Sequence, residues 1–161
     1  MVSTELVEKC RLFREFSEEE KELLARHFRE VRFKKGELLF DEFEPAKGFF
    51  LISKGKVALL RSDNFGRWTK VAAVYGGVPL EECAFFLGTP HSLRAVAEEE
   101  VEALYLSRED YEALKAENPK LAVKLLEVVL NFLADRLKSE DRKFAQVCGF
   151  FSVSGGNRWR R

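Results

Sequence analysis

Apolar and polar residues change rhythm twice along this chain. Leu23, Leu24 and Phe28 recur at the spacing of a helix face. Ser17 stands ahead of them with Glu20 three residues on, a pairing in which serine and glutamate cap the first turn reciprocally. A shorter helical turn is expected around Leu6 to Phe13. From Val31 the period drops to two. Short apolar runs are cut at Lys35-Gly36, Pro45 to Gly48, Lys54-Gly55, Asp63 to Gly66 and Gly76-Gly77. Such closely spaced runs predict the antiparallel strands of a sandwich or barrel. Phe49 to Ile52 and Val57 to Leu59 flank Lys54-Gly55 as a hairpin, with Gly55 able to take a positive φ.

After Leu106 the helical period returns. Ser107, with Asp110 three residues on, caps one helix, and Asn118 caps the next, with Pro119 at its first position. This last helix is expected to run to about Val147. Leu126, Val129, Leu133 and Leu137 form a seam at three-four spacing, widened by Leu125, Val128 and Phe132. Two readings remain open: the stripe packs on the chain's own barrel, or it also pairs with a second copy as in a coiled coil. A homodimer through this seam is the expectation.

Composition narrows the function classes. With 161 residues, 46% apolar and 34% charged, the chain reads as a soluble globular protein. One domain is expected over residues 1–147, with a flexible tail over 148–161. The 27 basic and 27 acidic side chains cancel, so nothing global draws the chain to nucleic acid or an anionic membrane. Cys10, Cys83 and Cys148 are odd in number and lack metal-ligand spacing, which fits a reducing, cytoplasmic setting. The acidic, polar start does not read as a secretory signal, and no apolar run is long enough to span a bilayer. The only histidines are His27 and His91, too few for the metal cluster of a cupin-type enzyme. Nucleophile-elbow and Walker patterns are absent as well. The expectation is a non-catalytic protein without metal or cofactor.

The segment "YGGVPLEECAFFLGTPHSLRAVA", Tyr75 to Ala97, holds the candidate chemistry. It reads either as a cradle for a phosphorylated ligand or as a capped helical turn between two strands. The order of elements, with "FKKGELLFDEFEPAKGFFLISKGKVALL" in front and "LGTPHSLRAVA" behind, resembles the cyclic nucleotide-binding domain family over about Leu12 to Gln146. The resemblance implies a mainly β fold: an antiparallel double-stranded β-helix, or jelly-roll barrel, with N-terminal helices and a long C-terminal helix. It also implies a phosphate-binding cassette: a tight turn, a short helix with backbone N–H groups facing the phosphate, and an arginine at the next strand.

Carried over from Gly88-Thr89-Pro90, the resemblance marks Glu81, Glu82, Cys83, Ala84, His91, Ser92 and Arg94 as ligand-binding candidates. Glu82 matches the ribose-binding glutamate, Ala84 the small residue after it, and Ser92 a neighbour used on the phosphate in some members. Glu81 stands where the family has glycine, and His91 where it has arginine. At about 4 Å and an effective dielectric near 20, a carboxylate beside a phosphodiester is opposed by about 4 kcal/mol before screening. Even protonated, a histidine offers no two-pronged fork. Arg94 lies three residues past His91, and odd spacing on a strand turns it to the opposite face, unless a β-bulge restores it.

The bland alternatives are definite. Acidic residues after Pro79 suit the first turn of a helix. Phe85, Phe86 and Leu87 suit a core, Cys83 a small buried hydrophobe, and His91 a surface or partly buried strand position. The family's purine contacts at the end of the long helix fall by ungapped carry-over on Ser139, Glu140 and Asp141, which also read as a solvated face. The remainder after that helix is too short for a DNA-binding helix-turn-helix, and it lacks an amphipathic membrane stripe. Arg158, Trp159, Arg160 and Arg161 read as a basic tail.

The resulting expectation is a regulatory, ligand-sensing module for signal transduction. Its phosphate cassette is degenerate, and it binds cAMP or cGMP weakly or not at all. Its partners are a small-molecule ligand, a second copy or another protein, and neither a membrane nor nucleic acid. A ligand-free interaction scaffold and a true receptor with altered contacts are the alternatives.

Overall fold

The run Gly48–Lys54 has no polar alternation, and five of its seven residues are buried, as a strand covered on both faces requires. It is the third strand of the fold. The structure, a computed structural model, describes residues 7–8 and 10–152, with side chains to residue 148. Val7 and Glu8 are helical and Arg11–Phe13 forms a 3-10 turn; Leu6, the start of the expected turn, lies outside the described residues. Then follow α1 (Glu18–Ala25), β1 (Arg29–Phe33), β2 (Leu38–Phe40), β3 (Gly48–Lys54), β4 (Lys56–Ser62), β5 (Trp68–Tyr75) and β6 (Val78–Leu80). A short helix α2 (Glu82–Leu87) precedes β7 (Arg94–Ala97), β8 (Val101–Ser107), α3 (Arg108–Glu117) and α4 (Pro119–Ser152).

The described strands form two four-stranded antiparallel sheets, ordered β1-β8-β3-β6 and β2-β7-β4-β5. This is the expected mainly β jelly roll with flanking helices. Phe40, Phe50, Ile52, Val57, Leu59, Leu80, Ala95 and Val101 fill the space between the sheets. On the other face of β3, Phe49 meets Phe85 of α2 with ring centroids 5.2 Å apart, and Phe85 meets Tyr111 of α3 edge-on at 5.6 Å. At the β3–β4 hairpin Gly55 takes φ +98°, and a Cβ there would lie 2.3 Å from the Glu100 carbonyl oxygen.

The helix starts follow their caps. The Ser17 hydroxyl accepts from Glu20 N while the Glu20 carboxylate accepts from Ser17 N. Ser107 Oγ accepts from Asp110 N, and Asn118 Oδ1 from Leu121 N. Lys124 ties the first turns of α4 to α1, its Nζ donating to Glu20 at 2.7 Å and to the Glu15 carbonyl.

One expectation needs correction. α4 runs to Ser152, past Val147, because the lone Gly149 costs only about 1 kcal/mol and does not stop a long helix. His27 lies beyond α1, where its Nε2 is 3.2 Å from Glu117 Oε2. The basic residues of the tail lie outside the described residues. Contacts divide the chain into two units, one ending at Leu125 and one beginning at Leu126 within α4. Among the described residues no helix is long and apolar enough to cross a membrane.

Candidate phosphate cassette

The β6–α2–β7 segment is held from three sides. Phe85 N donates to Glu81 O, and Thr89 N to Ala84 O, both at 3.1 Å, which fixes the ends of α2. Gly88 closes the helix at φ +67°, the left-handed cap glycine favours. The stretch after it is zipped to the β2–β3 loop: His91 N donates to Glu44 O, and Phe43 N to His91 O, both at 2.8 Å. The Arg108 guanidinium lies over the Phe85 ring at 4.1 Å and donates to the Phe85 carbonyl.

Glu81 is the unusual residue. Its φ is +69°, in the left-handed region that glycine tolerates and a residue with a Cβ adopts at a cost. It is the N-cap of α2 but makes no side-chain cap. Its Oε2 instead lies 2.5 Å from Nδ1 of His91. The Glu81 and His91 side chains are 9% and 7% exposed. The imidazole also stacks on Phe40, with centroids 4.3 Å apart and planes 25° apart. The side chains at 81 and 91 therefore form one buried pair inside the cassette.

The other candidates separate. Glu82 is 1% exposed, and Cys83 Sγ lies 3.9 Å from its Oε1. Ala84 is buried, whereas Ser92 is exposed. Arg94 is turned away from His91: Nε and Nη2 donate to the two carboxylate oxygens of Asp41 at 2.7 and 2.9 Å, and the guanidinium lies 3.8 Å from the Trp68 ring. Hydrogen bonding to Arg94 holds the Asp41 carboxyl below the usual range, and the same bond raises the guanidinium. Asp41 was not among the candidates; a lone Asp in a strand-end loop carries no signal of its partner 53 residues on.

Several bland expectations fail here. His91 is buried, and it precedes β7, which begins only at Arg94. Cys83 is exposed, because α2 turns it outward while Phe85 takes the core position. Phe86 and Leu87 are 41% and 74% exposed, since a six-residue helix buries one stripe. Glu81 makes no side-chain cap on α2, and its carboxylate meets His91. On α4, Ser139, Glu140 and Asp141 are exposed, with Glu140 paired to Lys143. Of the four seam residues, Leu137 is 63% exposed, whereas Val129 is 2% exposed and so does not face a second copy. No group of three or more metal-ligating side chains occurs among the described residues.

Two antiparallel sheets around one core, an inserted helix before β7 and a long C-terminal helix define a jelly-roll domain. Residues 30–118 match the cyclic nucleotide-binding domain, and the chain belongs to that family. A cyclic AMP receptor protein from Thermus thermophilus is 31% identical over 130 residues, which cover 81% of this chain and 58% of that protein. This chain thus spans little more than half of that relative's length. A cyclic nucleotide-binding domain from Methylobacillus flagellatus superposes with a TM-score of 0.75 at 29% identity, covering 88% of this chain and 80% of that one. The Thermus thermophilus catabolite activator protein gives 0.71 at 28% identity, covering 86% and 63%.

Proposed function

We propose that this chain is a non-catalytic regulatory module of the cyclic nucleotide-binding fold whose phosphate seat is taken by its own Glu81 carboxylate. The observation behind this reading is the buried Glu81–His91 contact at 2.5 Å. In the resemblance these two positions hold a glycine, which leaves the backbone donors open, and an arginine, which clasps the phosphate. Here an internal carboxylate meets an internal imidazole. An incoming phosphodiester would have to displace Glu81 from His91 and sit beside two buried carboxylates, Glu81 and Glu82. One such repulsion, about 4 kcal/mol before screening, corresponds to roughly a thousandfold in affinity. Arg94 offers no rescue while Asp41 and Trp68 hold it.

The output proposed is a change in how α4 packs, with two copies joined through the seam residues Leu126, Leu133 and Leu137; Val129, 2% exposed, is not open to a second copy. The exposed Leu130, Leu137, Phe144 and Val147 on that helix support an apolar partner surface. A cytoplasmic setting suits the absence of any disulfide among the cysteines. The test is titration with cAMP and cGMP followed by thermal shift. A ligand of the native state must raise the melting temperature, and none is expected at millimolar nucleotide.

A further inference from the structure

We propose that the mouth of the roll is a second binding site, adjoining the cassette at His91, for a small aromatic zwitterion of the α-amino-acid type. This rests on the reading of the chain as a ligand-sensing module and gives that module a ligand class. A cavity of about 480 Å³ opens beside β1, β2, β3, β8 and the β2–β3 loop, within the size range of small-molecule sites. Of the seven cassette candidates only His91 lines it.

Its wall is aromatic. Phe33, Phe40 and Tyr105 surround Phe50, with ring centroids 6.0, 6.2 and 4.9 Å from that of Phe50. Gly48 lets Tyr105 lie across β3, because a Cβ there would fall 2.5 Å from the phenol ring. Such a wall favours a flat ring, edge-on or offset.

Its rim is charged with both signs. Glu44 and Lys47 line the cavity, are exposed, and carry no side-chain hydrogen bond or ion pair among the described residues. Charges nearby on the sheets are spent on each other: Glu98 takes both Lys56 and Lys70, and Asp41 takes Arg94. One carboxylate and one ammonium give the mouth no net charge, so an anion such as a nucleotide gains no net attraction from it. A molecule with its own ammonium and carboxylate satisfies both, and its ammonium gains further from the faces of the rings.

The full chain is titrated by calorimetry and thermal shift with L-tryptophan and L-phenylalanine. Phenylacetate lacks the ammonium, phenethylamine the carboxylate and L-alanine the ring. The amino acids with rings should give a saturable rise in melting temperature and bind at least about tenfold more tightly than each truncated probe. Glu44→Gln and Lys47→Met, both at exposed positions, should each weaken L-tryptophan by at least about tenfold with the fold retained. No saturable response to either aromatic amino acid overturns the proposal, and so does binding that neither substitution changes. Cyclic AMP is titrated in parallel. If it binds and both rim variants keep that binding, the cassette reading fails alone, and the amino-acid titrations still decide the cavity.

Discussion

Glu81 and His91, ten residues apart in sequence, meet at 2.5 Å with both side chains more than nine-tenths withdrawn from water. The two departures that the resemblance implies at these positions are thus joined in one contact. The left-handed backbone at position 81 suits glycine, yet the chain places a glutamate there and uses its carboxylate on the imidazole. Holding a non-glycine residue in that region costs roughly 1–2 kcal/mol. A buried hydrogen bond to a charged group, about 1.5–3 kcal/mol, is of the size needed to offset it.

A double-mutant cycle measures this pair. Glu81→Gln and His91→Phe should each destabilise by about 1–3 kcal/mol in urea denaturation, because each leaves a buried polar group with a poorer partner. His91→Phe preserves the stack on Phe40. The double variant should lose clearly less than the sum; strict additivity would mean that the two side chains act independently.

The acid limb of stability should depend on Asp41. Its carboxyl is held low first by the hydrogen bond from Arg94. A depressed carboxyl stabilises the fold fully above the unfolded value near 3.9, and that contribution disappears as pH falls through the lower folded value. Asp41→Asn should therefore lower stability at neutral pH and flatten its fall below about pH 4. Trp68, under the Arg94 guanidinium, reports the release by fluorescence in a Trp159→Phe background. An unchanged acid slope in Asp41→Asn would refute the assignment.

Thiol labelling separates the cysteines. Burial pushes the Cys10 thiol up to about 11 and leaves it 1% exposed, while Cys83 and Cys148 are exposed. In native protein near pH 8, iodoacetamide should modify Cys83 and Cys148 readily and Cys10 only after unfolding. Mass spectrometry reads the sites, and fast native labelling of Cys10 would contradict its placement.

Sedimentation tests the helix seam. The chain should sediment as a dimer, and Leu137→Glu, at an exposed position, should shift it to monomer without changing its β-sheet signal. A monomer at high protein concentration would remove the proposed output.

The sequence carried the fold in signals that act over a few residues. Gly55 announced its hairpin and Ser17, Ser107 and Asn118 announced their helices, because each solves a local backbone problem. The alternation argument for Arg94 does not apply, because β7 begins only at Arg94 and His91 lies before it. The site was less legible because its partners are distant: Arg94 finds Asp41 across 53 residues, and His91 finds Glu81 across ten. Reading Glu81 as a helix-dipole residue missed that its backbone is left-handed and its side chain points back into the roll. The aromatic wall was hidden for the same reason, since Phe33, Phe50 and Tyr105 come from three strands that meet only when the sheet forms. Phe86, Leu87 and Cys83 were misjudged because the length of α2, not its composition, decides how much of it is covered.

The most direct test of the proposed occupation of the phosphate seat is calorimetric titration of cAMP into this chain and into Glu81→Gly/His91→Arg. The double variant restores a residue suited to the left-handed turn and supplies the guanidinium fork. The unaltered chain should show no saturable heat at millimolar nucleotide, and the double variant should bind at least about a hundredfold more tightly. Submicromolar binding by the unaltered chain, or an affinity that the two substitutions leave unchanged, would contradict the account.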